Sequence, residues 1–454
     1  MSQVVTSLAS RLGDLVGPGR VLVDMPSLAA YGADGRRPSA AVLPGSVAEI
    51  AGILRFASAE RLAVIPIGGG THLGIGMPPR RYDIALDLSG MNRILAYEPH
   101  DLTLGIEPGI TCAGLDRKLR ESRQFLPLAP PFAQRATLGG IVAAAADTPL
   151  RYGYGTARDF LLGIEFVTGE GIVSKSGSRV VKNVTGYDLH KLFVGSLGTL
   201  GVITRLNFRT FPLPPHQKMF VFGFADRSSA FDLCRAIMNS PLHPRLLEVV
   251  DPGTADLFAV HGANFLNRDS WFAVVEATGH EAVLERHARD LASMSRQAHA
   301  AEFIALEESQ RNQLFACLSE FSPIALAAAP AATIFRIAAL PSAMPTLLEQ
   351  IRSLADDHAL KCAILIRALS VVYVALLPPA DANLFPALIG CSDQVIDLCI
   401  SSGAAPVIER CPLEIKIALG VWPPPGNDHE ISQRLKCVFD PHEILSPGRF
   451  RGGL

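Results

Sequence analysis

Apolar residues follow two different patterns along the chain. Before residue 212 they form short runs, such as residues 63–67 (AVIPI), which are separated by glycines and are typical of buried strands. After residue 215, longer segments with helix spacing alternate with apolar runs. The prolines of residues 212–215 (PLPP) separate the two parts, because proline continues neither a helix nor a central strand. We therefore predict a boundary there.

The second part predicts alternating strands and helices. Strands are expected at residues 219–224, 246–250, 271–277, 333–340, 362–369, 371–377 and 406–409, and helices at 228–239, 281–298, 344–356 and 381–389. Ser228 is the expected cap of the first helix. From residue 333 the order is β-α-β-β-α-β, which indicates a ferredoxin-like unit with helices on one face of an antiparallel sheet. Prolines and Arg336 in the apolar segment 321–348 favour a helix and a strand over a membrane span.

Composition narrows the class of protein. The 454 residues are 49% apolar and 19% charged, with a mean hydropathy of +0.27, which excludes a disordered chain. A formal net charge of −2 gives no electrostatic signal for nucleic acid. The 39 glycines and 33 prolines indicate many turns, or loops that hold a ligand against bare backbone.

The cysteines and the first residues indicate the compartment. No C-x-x-C pair and no spacing suited to zinc or an iron–sulfur centre is found, so the cysteines are expected to be buried thiols in a reducing compartment. Residues 1–20 lack an apolar core after a basic start, which disfavours a secretory signal. We expect a cytoplasmic protein. The cysteines are Cys112, Cys234, Cys317, Cys362, Cys391, Cys399, Cys411 and Cys437.

A glycine-rich loop follows the first of these apolar runs. Residues 68–76 read GGGTHLGIG, and successive glycines let backbone N–H groups converge on an anion such as a pyrophosphate. The loop lacks the Gly-Lys-Ser/Thr of a Walker motif. Leu73 breaks the G-x-G-x-x-G spacing, and prolines 78 and 79 prevent a helix from starting there. Taken alone, the loop is compatible with a structural turn or with a phosphate cradle.

Four more glycine segments follow in a specific order: residues 107–111 (EPGIT), 137–142 (TLGGIV), 152–159 (YGYGTARD) and 195–204 (GSLGTLGVIT). With the lead-in at residues 31–50, the series resembles the flavin-binding domain of the vanillyl-alcohol oxidase and p-cresol methylhydroxylase (PCMH) superfamily. The resemblance covers about residues 31–213. It implies an α+β fold, with a PCMH-type FAD-binding domain at residues 1–214 in subdomains of about 1–95 and 96–214. A ferredoxin-like cap domain would follow at residues 215–454.

Two segments narrow the resemblance. Residues 177–192 (GSRVVKNVTGYDLHKL) look like the signature of the second flavin-binding subunit of bacterial glycolate oxidase. Residues 439–450 (FDPHEILSPGRF) are similar to the end of FAD-linked 2-hydroxy-acid dehydrogenases. The resemblance implies an FAD-binding subunit that works with a catalytic flavoprotein paralogue and an iron–sulfur subunit to oxidise glycolate to glyoxylate. Such a hetero-oligomer is cytoplasmic, or lies at the inner membrane through its partners.

The same resemblance implies which residues contact FAD. Residues 68–73 would hold the pyrophosphate, with the Thr71 hydroxyl as an added donor. Residues 137–140 and 155–156 would pass the ribityl chain and the isoalloxazine, where glycine avoids a collision with the flat ring. Val202 and Ile203 would line the adenine side. The full set of candidates is Ile67, Gly68, Gly69, Gly70, Thr71, His72, Leu73, Gly74, Pro108, Gly109, Thr137, Leu138, Gly139, Gly140, Gly155, Thr156, Arg158, Gly198, Gly201, Val202 and Ile203.

Three assignments stay open at this point. Some members of the superfamily attach FAD covalently through a histidine, and His72 is a candidate, although Thr71 separates it from the glycines. Arg158 would place its guanidinium near the flavin or form a salt bridge within its domain. A group of polar residues would face the cofactor or substrate, or would tether their loop. They are Lys182, Asn183, Tyr187 and Asp188.

Catalytic residues are harder to find in the second part. Oxidation of a 2-hydroxy acid needs a base for the hydroxyl proton and a cation for the carboxylate. Competent relatives carry a His-x-Gly-Asp-Gly-Asn strand and a later Glu-His-Gly, and this sequence has neither. We therefore expect no metal and an auxiliary chain whose apolar surface packs against partner subunits. The alternatives are a self-sufficient dehydrogenase of another 2-hydroxy acid or small alcohol, with Arg367, Arg410 or Lys416 as carboxylate clamp, and a scaffold that has lost the flavin.

Overall fold

The computed structural model describes residues 2–179, 186–379 and 384–454, and their chain forms two compact units. The first unit comprises Met1–Ala146, Thr156–Leu213 and Pro424–Leu454, and the second comprises Asp147–Gly155 and Pro214–Pro423. The domain division at residue 214 stays a prediction. Two segments cross it, because residues 424–454 pack in the first unit and residues 147–155 in the second.

The helices and strands are given in chain order. The helices are α1 (Ser2–Val16), α2 (Met25–Ala29), α3 (Val47–Ala59), α4 (Cys112–Arg120), α5 (Leu138–Ala144), α6 (Arg151–Tyr154), α7 (Ala157–Phe160), α8 (Arg227–Met238), α9 (Pro252–Val260), α10 (Glu281–Gln297), α11 (Glu308–Ser319), α12 (Phe321–Ala328), α13 (Met344–Asp357), α14 (Leu384–Ser401), α15 (Leu413–Leu419) and α16 (His429–Phe439). The strands are β1 (Val21–Leu22), β2 (Ala40–Val42), β3 (Val64–Ile67), β4 (Ile84–Asp87), β5 (Ile94–Glu98), β6 (Thr103–Ile106), β7 (Gln124–Phe125), β8 (Leu161–Val167), β9 (Val173–Gly177), β10 (Val202–Arg209), β11 (Phe211–Pro212), β12 (His216–Phe224), β13 (Leu246–Val250), β14 (Trp271–Gly279), β15 (Glu302–Ala305), β16 (Thr333–Ala338), β17 (Lys361–Arg367), β18 (Val371–Leu377) and β19 (Ala405–Arg410).

The first unit begins with a four-stranded sheet in the order β1-β2-β4-β3, in which β2, β4 and β3 run parallel. Both faces of this sheet are covered. Val64 and Ile84 pack on one face with the apolar side of α3, while Ile65 and Ala85 pack on the other. Alternate residues therefore enter different cores, which explains why β3 is apolar without a polar-apolar alternation.

A five-stranded antiparallel sheet, β5-β6-β10-β8-β9, forms the rest of the first unit's framework. Helix α4 is capped by Thr111, whose hydroxyl accepts from Gly114 N, and it buries Leu115 and Leu119. Phe439 of α16 enters the same core against Phe166. The end of the chain is thus part of this core.

The second unit contains one eight-stranded antiparallel sheet, β15-β12-β14-β13-β17-β18-β16-β19. Its later half, from β16 to β19, has the predicted β-α-β-β-α-β order, and its strands pair as in a ferredoxin-like sheet. The earlier half, from β12 to β15, pairs its strands in the same order, with the additional helix α9 between β13 and β14. The halves join where β13 pairs with β17, so the α+β prediction is confirmed as two repeats in one sheet.

Two predicted helices differ in detail. Helix α8 is capped by Asp226, whose carboxylate accepts from Ser229 N at 2.9 Å, and Ser228 lies inside the first turn, so the predicted cap was wrong. The start of the predicted helix at residues 381–389 lies outside the described residues. That helix continues to Ser401, because Cys391, Val395 and Cys399 extend its buried stripe.

Segment 321–348 forms α12, β16 and the start of α13, as expected of a helix and a strand within a domain. None of the helices in the described ranges is both long and apolar enough to cross a membrane.

The cysteines are free thiols, and most of them are buried or half-buried. Cys437 is exposed, so the expectation of buried thiols was wrong there. The reason is the orientation of α16, which turns Lys436 and Phe439 toward the interior and leaves Cys437 on the outer side.

Candidate functional site

A cleft in the first unit opens at the glycine-rich loop that follows β3 and encloses about 770 Å³, part of it open to solvent. Three stretches of chain form its walls: the end of β3 with the loop, the start of α5, and the turn before β10. The candidates that line it are Ile67, Gly68, Gly69, Gly70, Thr71, His72, Leu73, Pro108, Thr137, Gly139, Gly140, Gly198, Gly201 and Ile203. Segments far apart in the sequence are thereby brought to one place.

The glycine loop leaves backbone donors available in the cleft. A Cβ on Gly69 would overlap the carbonyl oxygen of Arg135, and Gly70 has a φ of 69°, so both positions require glycine. Within the described residues, the amides of Gly69 and Gly70 donate to no acceptor. Unpaired amides beside a cleft bind an anion well. This arrangement fits a pyrophosphate.

The second wall is the start of α5. Thr137 precedes its first residue, and Gly139 N donates to the Pro108 carbonyl at 2.8 Å. We expected glycine here to avoid a collision with a flat ring. The structure gives another reason, because a Cβ on Gly139 would lie 2.6 Å from Pro108 Cβ. Glycine at this position lets the start of α5 pack closely against Pro108.

The third wall is the turn that leads into β10. Leu197 N donates to the Ala143 carbonyl at 2.8 Å, which holds this turn against α5. Thr199 Oγ1 donates to the Ser196 carbonyl at 2.7 Å, so the hydroxyl braces the turn rather than the cleft. Ile203, at the start of β10, closes the wall with an apolar surface.

Sequence reasoning missed several lining residues, of which Arg449 carries charge. Its Nη2 donates to the carbonyls of Leu73 and Ile75, each at 2.6 Å, and so holds the glycine loop from the end of the chain. The sequence of the tail motif at residues 439–450 does not indicate where the tail packs. The lining residues without a prior assignment are Ile65, Pro66, Leu88, Ala143, Ala144, Leu197 and Arg449.

Other candidates do not line the cleft, and their assignment to FAD stays a prediction. Leu138 and Val202 are fully buried and direct their side chains into cores. A Cβ on Gly109 would overlap the Leu88 carbonyl, so this glycine serves a close backbone approach. The set outside the lining is Gly74, Gly109, Leu138, Gly155, Thr156, Arg158 and Val202. Gly155 belongs to the second unit.

Two of the open assignments concern Arg158 and the polar loop residues. Arg158 Nη1 donates to the Lys191 carbonyl at 2.7 Å, so its guanidinium binds a backbone group of its own unit. Tyr187 is 89% exposed, and Asp188 pairs with Lys191 at 2.8 Å, which favours a tethering role for Asp188. Lys182 and Asn183 lie outside the described residues.

His72 lines the cleft beside Thr71. Its Nδ1 lies 2.9 Å from Thr71 Oγ1, which orients the ring through a neighbouring side chain. The hydroxyl expected to donate to the pyrophosphate therefore also has an imidazole partner.

A separate group of ionisable side chains is buried in the second unit. Glu248 of β13 and Arg367 of β17 face each other in the sheet, with Oε1 and Nε 3.5 Å apart. Asp147 lies 3.9 Å from Arg367 and accepts from the Tyr373 hydroxyl at 3.3 Å. Neither oxygen of Glu248 has a hydrogen-bond partner in the described residues, and burial raises the pKa of Glu248 to about 8.

No set of three His, Cys, Asp or Glu side chains in the described part of the chain is placed to hold a metal ion.

Comparison with known families agrees with the cleft. Residues 38–177 match the family described as FAD binding domain, and residues 213–375 match the C-terminal domain of FAD linked oxidases. The chain carries both domains of an FAD-linked oxidase. FAD is its cofactor. The first match contains β3, the glycine loop and α5.

Several curated proteins are similar to this chain at modest identity. D-2-hydroxyglutarate dehydrogenase of Stutzerimonas stutzeri (strain A1501) is 32% identical over 51% of each chain. D-lactate dehydrogenase [cytochrome], mitochondrial, of Arabidopsis thaliana is 29% identical over 73% of this chain and 58% of its own. The matches thus span between half and three fifths of these two relatives. Glycolate oxidase subunit GlcD of Bacillus subtilis (strain 168) is 26% identical over 91% of this chain and 88% of its own.

Solved structures show the same fold. p-Cresol methylhydroxylase with bound substrate aligns with a TM-score of 0.81 at 17% identity and covers 98% of this chain and 97% of its own. Alkyldihydroxyacetonephosphate synthase aligns with a TM-score of 0.74 at 16% identity, over 98% of this chain and 86% of its own. The predicted PCMH-type fold is therefore confirmed.

Proposed function

We propose that the chain is the FAD-binding subunit of a complex that oxidises glycolate to glyoxylate, with a catalytic flavoprotein paralogue and an iron–sulfur subunit as partners. Two relatives are named as dehydrogenases of 2-hydroxy acids and a third as a glycolate oxidase subunit, which supports this substrate class. One observation carries the auxiliary role. The second unit lacks the His-x-Gly-Asp-Gly-Asn and Glu-His-Gly motifs that competent relatives use.

Two exposed apolar side chains on the first unit are compatible with contact to a partner. On α16, Ile431 and Val438 are 62% and 71% exposed, and they lie seven residues apart on one side of the helix. Large apolar side chains that share an exposed face are typical of protein interfaces.

Within this function the cleft binds and orients the cofactor. The amides of Gly69 and Gly70 would hold the pyrophosphate, and Arg449 would keep the loop in place through its carbonyls. The apolar wall at Ala143, Leu197 and Ile203 would exclude water from one side of the cleft. FAD, when bound, would supply two-electron redox chemistry to the complex.

Purification from native cells tests the proposal. We expect a yellow chain that co-purifies with a second flavoprotein and an iron–sulfur protein. Glycolate should not bleach the flavin band of the isolated chain, and turnover should appear when the partners are added back. Rapid bleaching of the isolated chain by glycolate would contradict the auxiliary role, and a colourless chain would contradict FAD binding.

A second candidate is a self-sufficient dehydrogenase of another 2-hydroxy acid, and the buried group in the second unit favours it. Arg367 would hold a carboxylate, and Glu248, whose pKa is raised to about 8, would take a proton in the fraction of molecules in which it is ionised. A panel of 2-hydroxy acids with the isolated chain separates the candidates. Bleaching by one acid, with a raised KM in Arg367→Met, would favour this function over the auxiliary one.

A further inference from the structure

Residues 439–446 contact both of the larger sheets of the first unit. Val64 N donates to the Ile444 carbonyl at 2.7 Å, and Ser446 N donates to the Val64 carbonyl at 2.9 Å, so residues 444–446 lie along β3. On the other side, Gly169 N donates to the Phe439 carbonyl at 2.8 Å, just after β8. One short segment is therefore attached to both sheets of the first unit.

Lys436 lies at the centre of this attachment. It is 4% exposed, and its Nζ donates to the Thr199 carbonyl at 2.7 Å, to Asp440 Oδ2 at 2.6 Å and to the Leu445 carbonyl at 2.9 Å. An ammonium group has three protons, so these acceptors use all of them. Because hydrogen bonds from a charged donor are stronger than neutral ones, the three contacts fix the positions of their partners.

Two of these acceptors lead directly to cleft walls. Thr199 lies between Gly198 and Gly201, which line the third wall. Leu445 pairs with Val64, the first residue of the strand that continues into the glycine loop. Thr199 is adjacent to the lining residue Gly198, and Val64 is adjacent to the lining residue Ile65, whereas Lys436 itself does not line the cleft.

Asp440 compensates the charge. Its carboxylate is fully buried, and it accepts from Ile444 N at 3.1 Å and Leu445 N at 2.8 Å as well as from Lys436. The pair is neutral overall, so removal of the lysine alone would leave a buried carboxylate without its counter-ion.

We propose that Lys436 is a positioning residue for FAD, which sets the separation of the Gly198–Gly201 turn from the glycine loop through Thr199 and Leu445. The proposal rests on the assignment of the cleft to FAD but on no particular substrate. It goes beyond the proposed function, because it assigns cofactor retention to a side chain outside the cleft.

Three variants of the full chain test this role. Lys436→Met removes the donor, and Lys436→Met with Asp440→Asn also removes the unpaired charge, so that the double variant should be destabilised less than the single variant. Arg352→Met is the control, because it breaks a 2.5 Å ion pair to the fully buried Asp251 in the other unit. FAD release is followed by the rise in flavin fluorescence after dilution, and unfolding by circular dichroism.

We expect the double variant to release FAD at least about tenfold faster than the parent at a temperature where both are folded, as loss of a charged hydrogen bond implies. Arg352→Met should lower the unfolding temperature without this effect. Release at the parent's rate in the double variant would overturn the proposal, as would equally fast release from Arg352→Met.

A fourth variant separates this proposal from the assignment of the cleft. Gly69→Ala places a Cβ in the loop itself. If Gly69→Ala releases FAD and the Lys436 variants do not, only the positioning role fails. If Gly69→Ala also retains FAD at the parent's rate, FAD is not held in this cleft and both proposals fail.

Discussion

Single residues of the glycine loop are fixed by what surrounds them. The chemistry of successive glycines is local, so the sequence alone indicated either a structural turn or an anion site there. Arg449 could not be predicted in the same way, because its contacts with Leu73 and Ile75 depend on a long-range return of the chain. The resemblance assigns Leu138 and Val202 to the cofactor, and both neighbour lining residues in the sequence. Sequence position does not determine which way a side chain points, and both side chains are buried in cores.

Replacement of Gly69 by alanine should weaken FAD binding. The added Cβ overlaps the Arg135 carbonyl, and strain of this kind costs about 1–3 kcal/mol. The ratio of flavin absorbance to protein measures the effect. Gly90→Ala is the matched control, because no atom lies within 4 Å of its Cβ position, and it should keep the parent's FAD content. Equal FAD content in both variants would contradict a cofactor site at this loop.

Glu248 should make stability depend on pH. Its folded pKa is raised to about 8 from an ordinary value of 4.5, so between these pH values the folded state holds a proton that the unfolded state has released. Stability therefore falls as pH rises through this window, by at most about 1.4 kcal/mol per pH unit. Urea unfolding of Glu248→Gln between pH 5 and 8 should give a flatter profile.

Glu285 is exposed and serves as the control for this experiment. Glu285→Gln should retain the slope of the parent protein. A slope that is the same in the parent and in Glu248→Gln would mean that Glu248 is ionised in the folded chain.

At the scale of elements, α8 shows that the residue that caps a helix is not determined by the apolar pattern alone. Asp226 and Ser228 are both good capping residues, and the sequence does not say which adopts extended backbone. The β-α-β-β-α-β order of the later half was predictable from its spacing. The pairing of β13 with β17 was not predictable, because the apolar pattern of a strand does not determine which strand it pairs with.

Asp226→Ala should destabilise the protein by about 1 kcal/mol, because the first turn of α8 loses the acceptor of its Ser229 amide. Ser228→Ala, two positions later, should have a much smaller effect. Thermal unfolding of the two variants measures the difference. A larger loss in Ser228→Ala would place the cap at Ser228 after all.

At the scale of the molecule, the first unit is assembled from three separate pieces of chain. The family match for its FAD-binding part ends at residue 177, so similarity alone gives no reason to include the tail. The structure shows that the tail belongs to the first unit, since Phe439, Ile444 and Leu445 are buried in the cores of that unit.

Removal of residues 424–454 should therefore abolish FAD binding, although the matched FAD-binding residues are all retained. The truncated chain loses buried apolar side chains and the contacts of Lys436 and Arg449. Flavin content and circular dichroism of the chain ending at Pro423 measure this. A yellow, folded product would contradict an essential role for the tail.

The return of residues 424–454 also sets an order of events on the ribosome. Domains usually fold as they emerge, beginning with the N-terminal one. Here the first unit cannot be completed until residues 424–454 have been translated, whereas all residues of the second unit are translated earlier. The cofactor-binding unit is thus completed after the second unit, and we expect FAD capture to follow the synthesis of residues 424–454.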